Sequence, residues 1–191
     1  MKKTLLGFTI VALMLPSLSY AHQATGGGFI AGLSHPVLGF DHLLAMLSVG
    51  VLSAQMGGKS LWSVPVAFVS IMLVGGILGL NGVPLISVEM GISVSVLALG
   101  IALAVEKKLA PILAMAFVGF FAVFHGYAHG IEMPHLANPT LYALGFIIGT
   151  ASIHITGVLV GIFAANIPNG VQFLRYIGAG IAGIGFHLIL M

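Results

Sequence analysis

Apolar residues fall in long blocks along this chain, separated by short polar punctuation. The blocks predict helices over about 37–56, 61–80, 87–105, 111–132 and 139–165, and from 172 to the C-terminus. Each is roughly 18–25 residues, near the length that crosses a bilayer. The punctuation is typical of turns: Gly57-Gly58-Lys59-Ser60, Asn81-Gly82-Val83-Pro84, Glu106-Lys107-Lys108, Pro134 before Asn138-Pro139, and the polar stretch from Asn166 to Gly170. Pro36 disfavours helical geometry at the residue before it, so a break is expected at His35. The Gly-rich stretch ahead of it, Gly26 to Ala31, reads as a short half-helix or a loop dipping into the membrane.

The first 21 residues carry a different pattern. Lys2 and Lys3 precede an apolar run from Leu5 to Leu15, Pro16 breaks it, and Ser19-Tyr20-Ala21 has the small-x-small form of a cleavage site. This is the pattern of a secretory signal peptide; the competing reading is an uncleaved first span. Cleavage after Ala21 would leave His22 as the new terminus, where amine and imidazole together can chelate a divalent metal. The expectation is an all-α integral membrane protein: a signal peptide at 1–21, then one six-helix domain over 22–191.

Composition agrees. Only 5% of the 191 residues are charged and 59% are apolar, against about 25% charged in a soluble domain. Six Lys/Arg and four Asp/Glu cannot cover a water-facing surface, so the net charge of +2 reflects loop cations and does not point to nucleic acid. No cysteine is present, which excludes disulfides, thiolate metal sites and Cys-x-x-Cys haem attachment. The 27 glycines suit close helix packing in lipid. With the mature N-terminus outside a bacterial cytoplasmic membrane, Lys59, Lys107, Lys108 and Arg175 all fall on the cytoplasmic side, as the positive-inside rule requires. A three-plus-three inverted repeat, common in transporters, is not detectable in the sequence.

Ionisable residues cluster against this background. His35, Asp41 and His42 stand at the start of the first span. An Asp at mid-bilayer costs roughly 2.5–3.5 kcal/mol on insertion scales, and less near the interface, so it calls for compensation. A cation shared with neighbouring imidazoles supplies it. Near the end of the fourth span, His125 and His129 are i, i+4 neighbours and Glu132 follows three residues later, which puts all three on one stripe. Gly126 and Gly130 form a small-x-x-x-small pair, and the first span, with Asp41 and His42 at the same depth, is the expected neighbour. The combined candidate metal site is His35, Asp41, His42, His125, His129 and Glu132. Nitrogen and oxygen donors without thiolate suit nickel, cobalt, zinc or copper(II).

Other polar residues carry competing readings. His154 and His187 either line an ion path or are packed histidines bonded to a neighbouring helix. Glu89 either recruits cations or interacts with its own helix dipole. His135 falls in a loop and reads as solvated.

Two stretches resemble known motifs. His-x5-Asp-His over 35–42 and Phe-His-Gly-x-Ala-x-x-x-Glu over 124–132 resemble the two signatures of the HupE/UreJ family, and Leu43-Leu44-Ala45-Met46 and Val49-Gly50 are similar too. The resemblance covers the whole chain and implies a secondary permease for nickel, in some members cobalt. It implies His35, Asp41, His42, His125 and Glu132 as functional positions. The expected substrate is Ni2+ or Co2+, with no prosthetic group, no ATPase motif and no enzymatic activity; oligomerisation is open. The rival readings are an intramembrane metalloenzyme or Ser-His hydrolase, a bis-His haem carrier, and a metal sensor that binds without conducting.

Overall fold

The computed structural model describes residues 28–134 and 137–191. The expected signal peptide, His22 and His135 lie outside the described residues. Among the described residues there are seven helices and no strand: α1 (Gly28–Leu38), α2 (Phe40–Met56), α3 (Ser60–Leu80), α4 (Val88–Val105), α5 (Pro111–Ile131), α6 (Pro139–Ala165) and α7 (Gly170–Leu190). Helices α3 to α7 are each long and apolar enough to cross a membrane, and α1 with α2 forms one span bent by 82°. The chain is thus an all-α membrane protein, with five spans among the described residues, or six with the bent pair as one.

The bend corrects one expectation. His35 is not at a break: it lies in the last turn of α1, with Pro36 inside the helix, and the chain turns at Gly39. Proline removes its own N–H bond to the carbonyl of Gly32 and its ring crowds that carbonyl, but α1 ends two residues later, so little helix is lost. Other ends follow local chemistry. Asn138 caps α6 by accepting from the N–H groups of Thr140 and Leu141 at 3.0 and 3.1 Å, with Pro139 in the first turn. The last carbonyls of α4 are satisfied from other helices: Leu103 accepts from Gln55 at 3.3 Å and Ala104 from Arg175 Nε at 2.9 Å.

Glycines set the packing. Gly75 and Gly79 of α3 meet the α5 backbone at Val123 and Tyr127, while Gly126 and Gly130 of α5 meet Met72 and Gly76 of α3; a Cβ at any of these would strike a backbone carbonyl. Gly100 and Gly185 join α4 to α7 in the same way. The 27-residue α6 supports both halves of the bent span: Gly145 and Gly149 receive α1, and Gly157 receives α2 at Leu47 and Gly50. With no hydrophobic drive between helices in lipid, such close approach is what gains dispersion energy. The core holds Met46, Val49, Phe68, Met72, Val96 and Leu99, all fully buried, while Trp62, Phe120, Phe163 and Phe173 point outward. Helices α2, α4 and α6 begin, and α3, α5 and α7 end, at one face of the bundle, the site face. Lys59, Lys107, Lys108 and Arg175 lie toward the other.

Candidate metal centre

Four imidazoles form a chain at the site face. His35 of α1 contacts His129 of α5 edge to face with ring centroids 4.7 Å apart; His129 contacts His42 of α2 at 4.3 Å; His42 contacts His125 of α5 at 4.7 Å. All four are buried. The bend at Gly39 makes this possible, because it lets α1 present His35 from one side while α2 presents His42 from another.

Both carboxylates of the predicted set join the chain. Glu132, in the turn that closes α5, accepts from His35 Nε2 at 3.0 Å. A carboxylate at a helix C-terminus is disfavoured by the macrodipole, so a nearby cation would stabilise it. Asp41 sits in the first turn of α2, where the dipole favours it; its Oδ1 accepts from the backbone N–H of His42 at 2.8 Å and from His42 Nδ1 at 2.9 Å. The six residues therefore come together, but not as a single coordination sphere. Donor atoms of His35, His129 and Glu132 lie within 4.8 Å of one another and form the compact triad. Asp41 acts on His42, and His125 lies one ring further in.

Hydrogen bonds set the tautomers. Asp41 accepts a hydrogen bond from His42 Nδ1–H, which leaves a lone pair on Nε2. Ser95 Oγ donates to the Ile92 carbonyl at 2.6 Å and so accepts from His125 Nε2 at 2.7 Å, which leaves a lone pair on Nδ1. His42 Nε2 and His125 Nδ1 have no hydrogen-bond partner among the described residues, nor does either nitrogen of His129. A buried polar atom left unpaired costs about 1–3 kcal/mol, so four such nitrogens in one cluster call for a partner from outside the chain, an ion or water. Orientation of a ligating imidazole by a carboxylate on its other nitrogen is the usual arrangement in metal sites.

The cluster opens to a cavity of about 640 Å³ whose lining includes His35, Asp41, His42, Glu89, His129, Glu132 and His187. Three of the chain's four acids line it and none of the four described Lys/Arg does, so its field favours cations. Glu89 and His187, left open by the sequence, thus belong to the vestibule, whereas His154 does not.

Two features differ from the sequence reading. The glycine pair on α5 receives α3, not the first span. Gly126 and Gly130 stand one position beyond His125 and His129, about 100° around the helix, so the two stripes face largely different neighbours. The first span meets α5 through side chains, and the rings fill the gap. Sequence reasoning also missed Ser95, which sets His125, and Phe146, whose ring lies 4.3 Å from that of His129. Serine and phenylalanine are ordinary in apolar spans, and nothing local singles these out.

Fold and site together define a multi-pass helical membrane protein with a His/carboxylate cluster at one membrane face. Residues 10–188 match the family described as HupE / UreJ protein, and the chain belongs to that family. It is 38% identical over 192 residues, spanning 100% of both chains, to Protein HupE of Rhizobium leguminosarum bv. viciae. No solved structure matches.

Proposed function

We propose that the chain is a secondary permease that carries Ni2+ or Co2+ across the bacterial cytoplasmic membrane, with the site face outward. The observation that carries this reading is His129: it is buried, both its nitrogens lack a hydrogen-bond partner among the described residues, and it lies between the His35–Glu132 pair and His42. Family membership supports transport rather than catalysis. The cations at the opposite face support the orientation, since they would then be cytoplasmic.

The vestibule acids concentrate divalent ions. An ion exchanges part of its water shell for imidazole nitrogens and a Glu132 oxygen, with Asp41 holding His42 in its ligating tautomer. Two carboxylates balance the 2+ charge. An inside-negative potential favours inward movement of a divalent ion by about 4.6 kcal/mol per 100 mV, twice the single-charge value. The lack of thiolate suits nickel and cobalt, but copper(II) binds nitrogen sites more tightly, so selectivity among these rests on geometry and supply.

Uptake of radioactive nickel and cobalt into proteoliposomes under an inside-negative potential tests the reading. Wild-type protein is expected to accumulate metal, and Asp41→Ala and His125→Ala are expected to abolish most of it. Normal accumulation by Asp41→Ala would sink the assignment of the site. Metal that binds purified wild-type protein without accumulating would point to a sensor.

A further inference from the structure

The cluster accounts for one end of a path but not for His154. This residue lies in α6, about 22 Å along the helix from its start at the site face. It is 1% exposed, and neither ring nitrogen has a hydrogen-bond partner among the described residues. A histidine kept for packing alone would be expected to pair at least its donor, because leaving both positions of a neutral imidazole unmade is costly. On the other side of the same helix segment, Gly50 of α2 packs directly on the His154 carbonyl, which leaves no room for a side chain there. The ring instead meets α3, where its centroid is 5.1 Å from that of Phe68.

Phe68 in turn lies 5.8 Å from His125, the innermost ring of the cluster. The fully buried phenyl ring therefore contacts both imidazoles. One stripe of α6 runs the same way: Tyr142 beside His35, Phe146 against His129, then Thr150 and His154 at successive i+4 positions. Thr150 is also buried with its hydroxyl unpaired among the described residues. Beside His154 a largely apolar groove of about 210 Å³, lined by Pro65, Val69, Ser70 and the outward-facing Trp62 among others, lies between α3 and α6 in the half of the bundle away from the site face.

We propose that His154 is a second metal-binding station, separated from the outer cluster by Phe68, to which an ion is handed as it moves toward the opposite face. The inference rests on the permease reading and adds a site to it. Transfer is a ligand exchange with no redox step: bonds to His125 and His42 break as a bond to His154 forms, and the ion keeps its charge. Phe68 must swing aside for it, so the two stations are never joined by an open channel.

The test uses the full-length protein in proteoliposomes with Ni2+ and Co2+ and two variants nearly isosteric with each other, His154→Ser and His154→Cys. The chain has no other cysteine, so the new thiol is unique. The serine variant is expected to lose about tenfold or more of wild-type uptake, while equilibrium dialysis still finds metal bound at the outer cluster. The cysteine variant, loaded with Co2+, is expected to show a near-ultraviolet thiolate-to-cobalt charge-transfer band, since thiolate is a good ligand for these ions. Packing alone would not produce that band. Wild-type uptake by the serine variant, or absence of the band in the cysteine variant, overturns the second station and leaves the outer site untouched. Failure of wild-type protein itself to accumulate either metal overturns the permease reading, and the relay with it.

Discussion

The two stripes of α5 are one residue apart and obey opposite rules. Gly126 and Gly130 face α3, where a Cβ would strike a carbonyl, and nothing polar intervenes. His125 and His129 face chiefly α1, α2, α4 and α6 through buried rings, and three of their four nitrogens have no hydrogen-bond partner among the described residues. The first face is packed for stability. The second leaves polar atoms unpaired in a low-dielectric interior, and the tight α3 seam beside it holds the helix in register while it does so. A binding site in lipid needs such a neighbour, because the cluster contributes little to folding by itself.

Substitution on each stripe separates the two roles. The largest effect is expected from Gly126→Val, which forces α3 and α5 apart. Its stability should fall by about 3 kcal/mol or more, seen as a lower thermal midpoint in detergent and a loss of monodisperse yield. A midpoint like that of wild type would show that the seam is not as tight as described. His129→Ala should invert the balance: a midpoint lowered less than by Gly126→Val, because the loss of unpaired nitrogens offsets part of the cavity the ring leaves, with uptake down by at least about a hundredfold. Equal losses of midpoint and uptake would place the ring in the packing rather than the site.

Asp41→Asn is expected to be milder. The amide can still accept from His42 Nδ1 but carries no charge, so metal affinity measured by titration should fall about tenfold. A loss as large as that of His129→Ala would make Asp41 a direct ligand. The smallest effect belongs to His187, exposed on α7 at the rim of the vestibule. His187→Ala should lower uptake only about two- to threefold at low metal concentration, with no change once metal is saturating. A saturating rate that also fell would put His187 on the ion path proper.

Much of this was legible along the chain because it is local. Asn138-Pro139 carries both a cap and a first-turn proline, and α6 starts there and ends at Ala165, as its apolar run predicts. The i, i+4 spacing of His125 and His129 puts both rings on one stripe whatever the helix packs against. The partner of the glycine pair was not legible, although the 100° offset between the stripes already argued against one shared neighbour. Nor was the position of His35: a rule about proline, sound on average, yielded to a helix that ends two residues later and rests on Gly145 and Gly149 of α6.

The residues by themselves determine that this chain crosses a membrane, where its later helices run, and which donor atoms it holds: four acids, eight histidines and no thiol. Those follow from transfer energy, backbone geometry and side-chain chemistry, none of which depends on distant contacts. Only the tertiary structure decides the order of the rings, the pairing of Asp41 with His42 and Ser95 with His125, and the contact of Phe68 with both His125 and His154. Each depends on the rotation of one helix about its axis relative to another. In lipid that rotation is set by where glycines allow backbones to touch, and a pattern read along one helix does not say which neighbour will arrive.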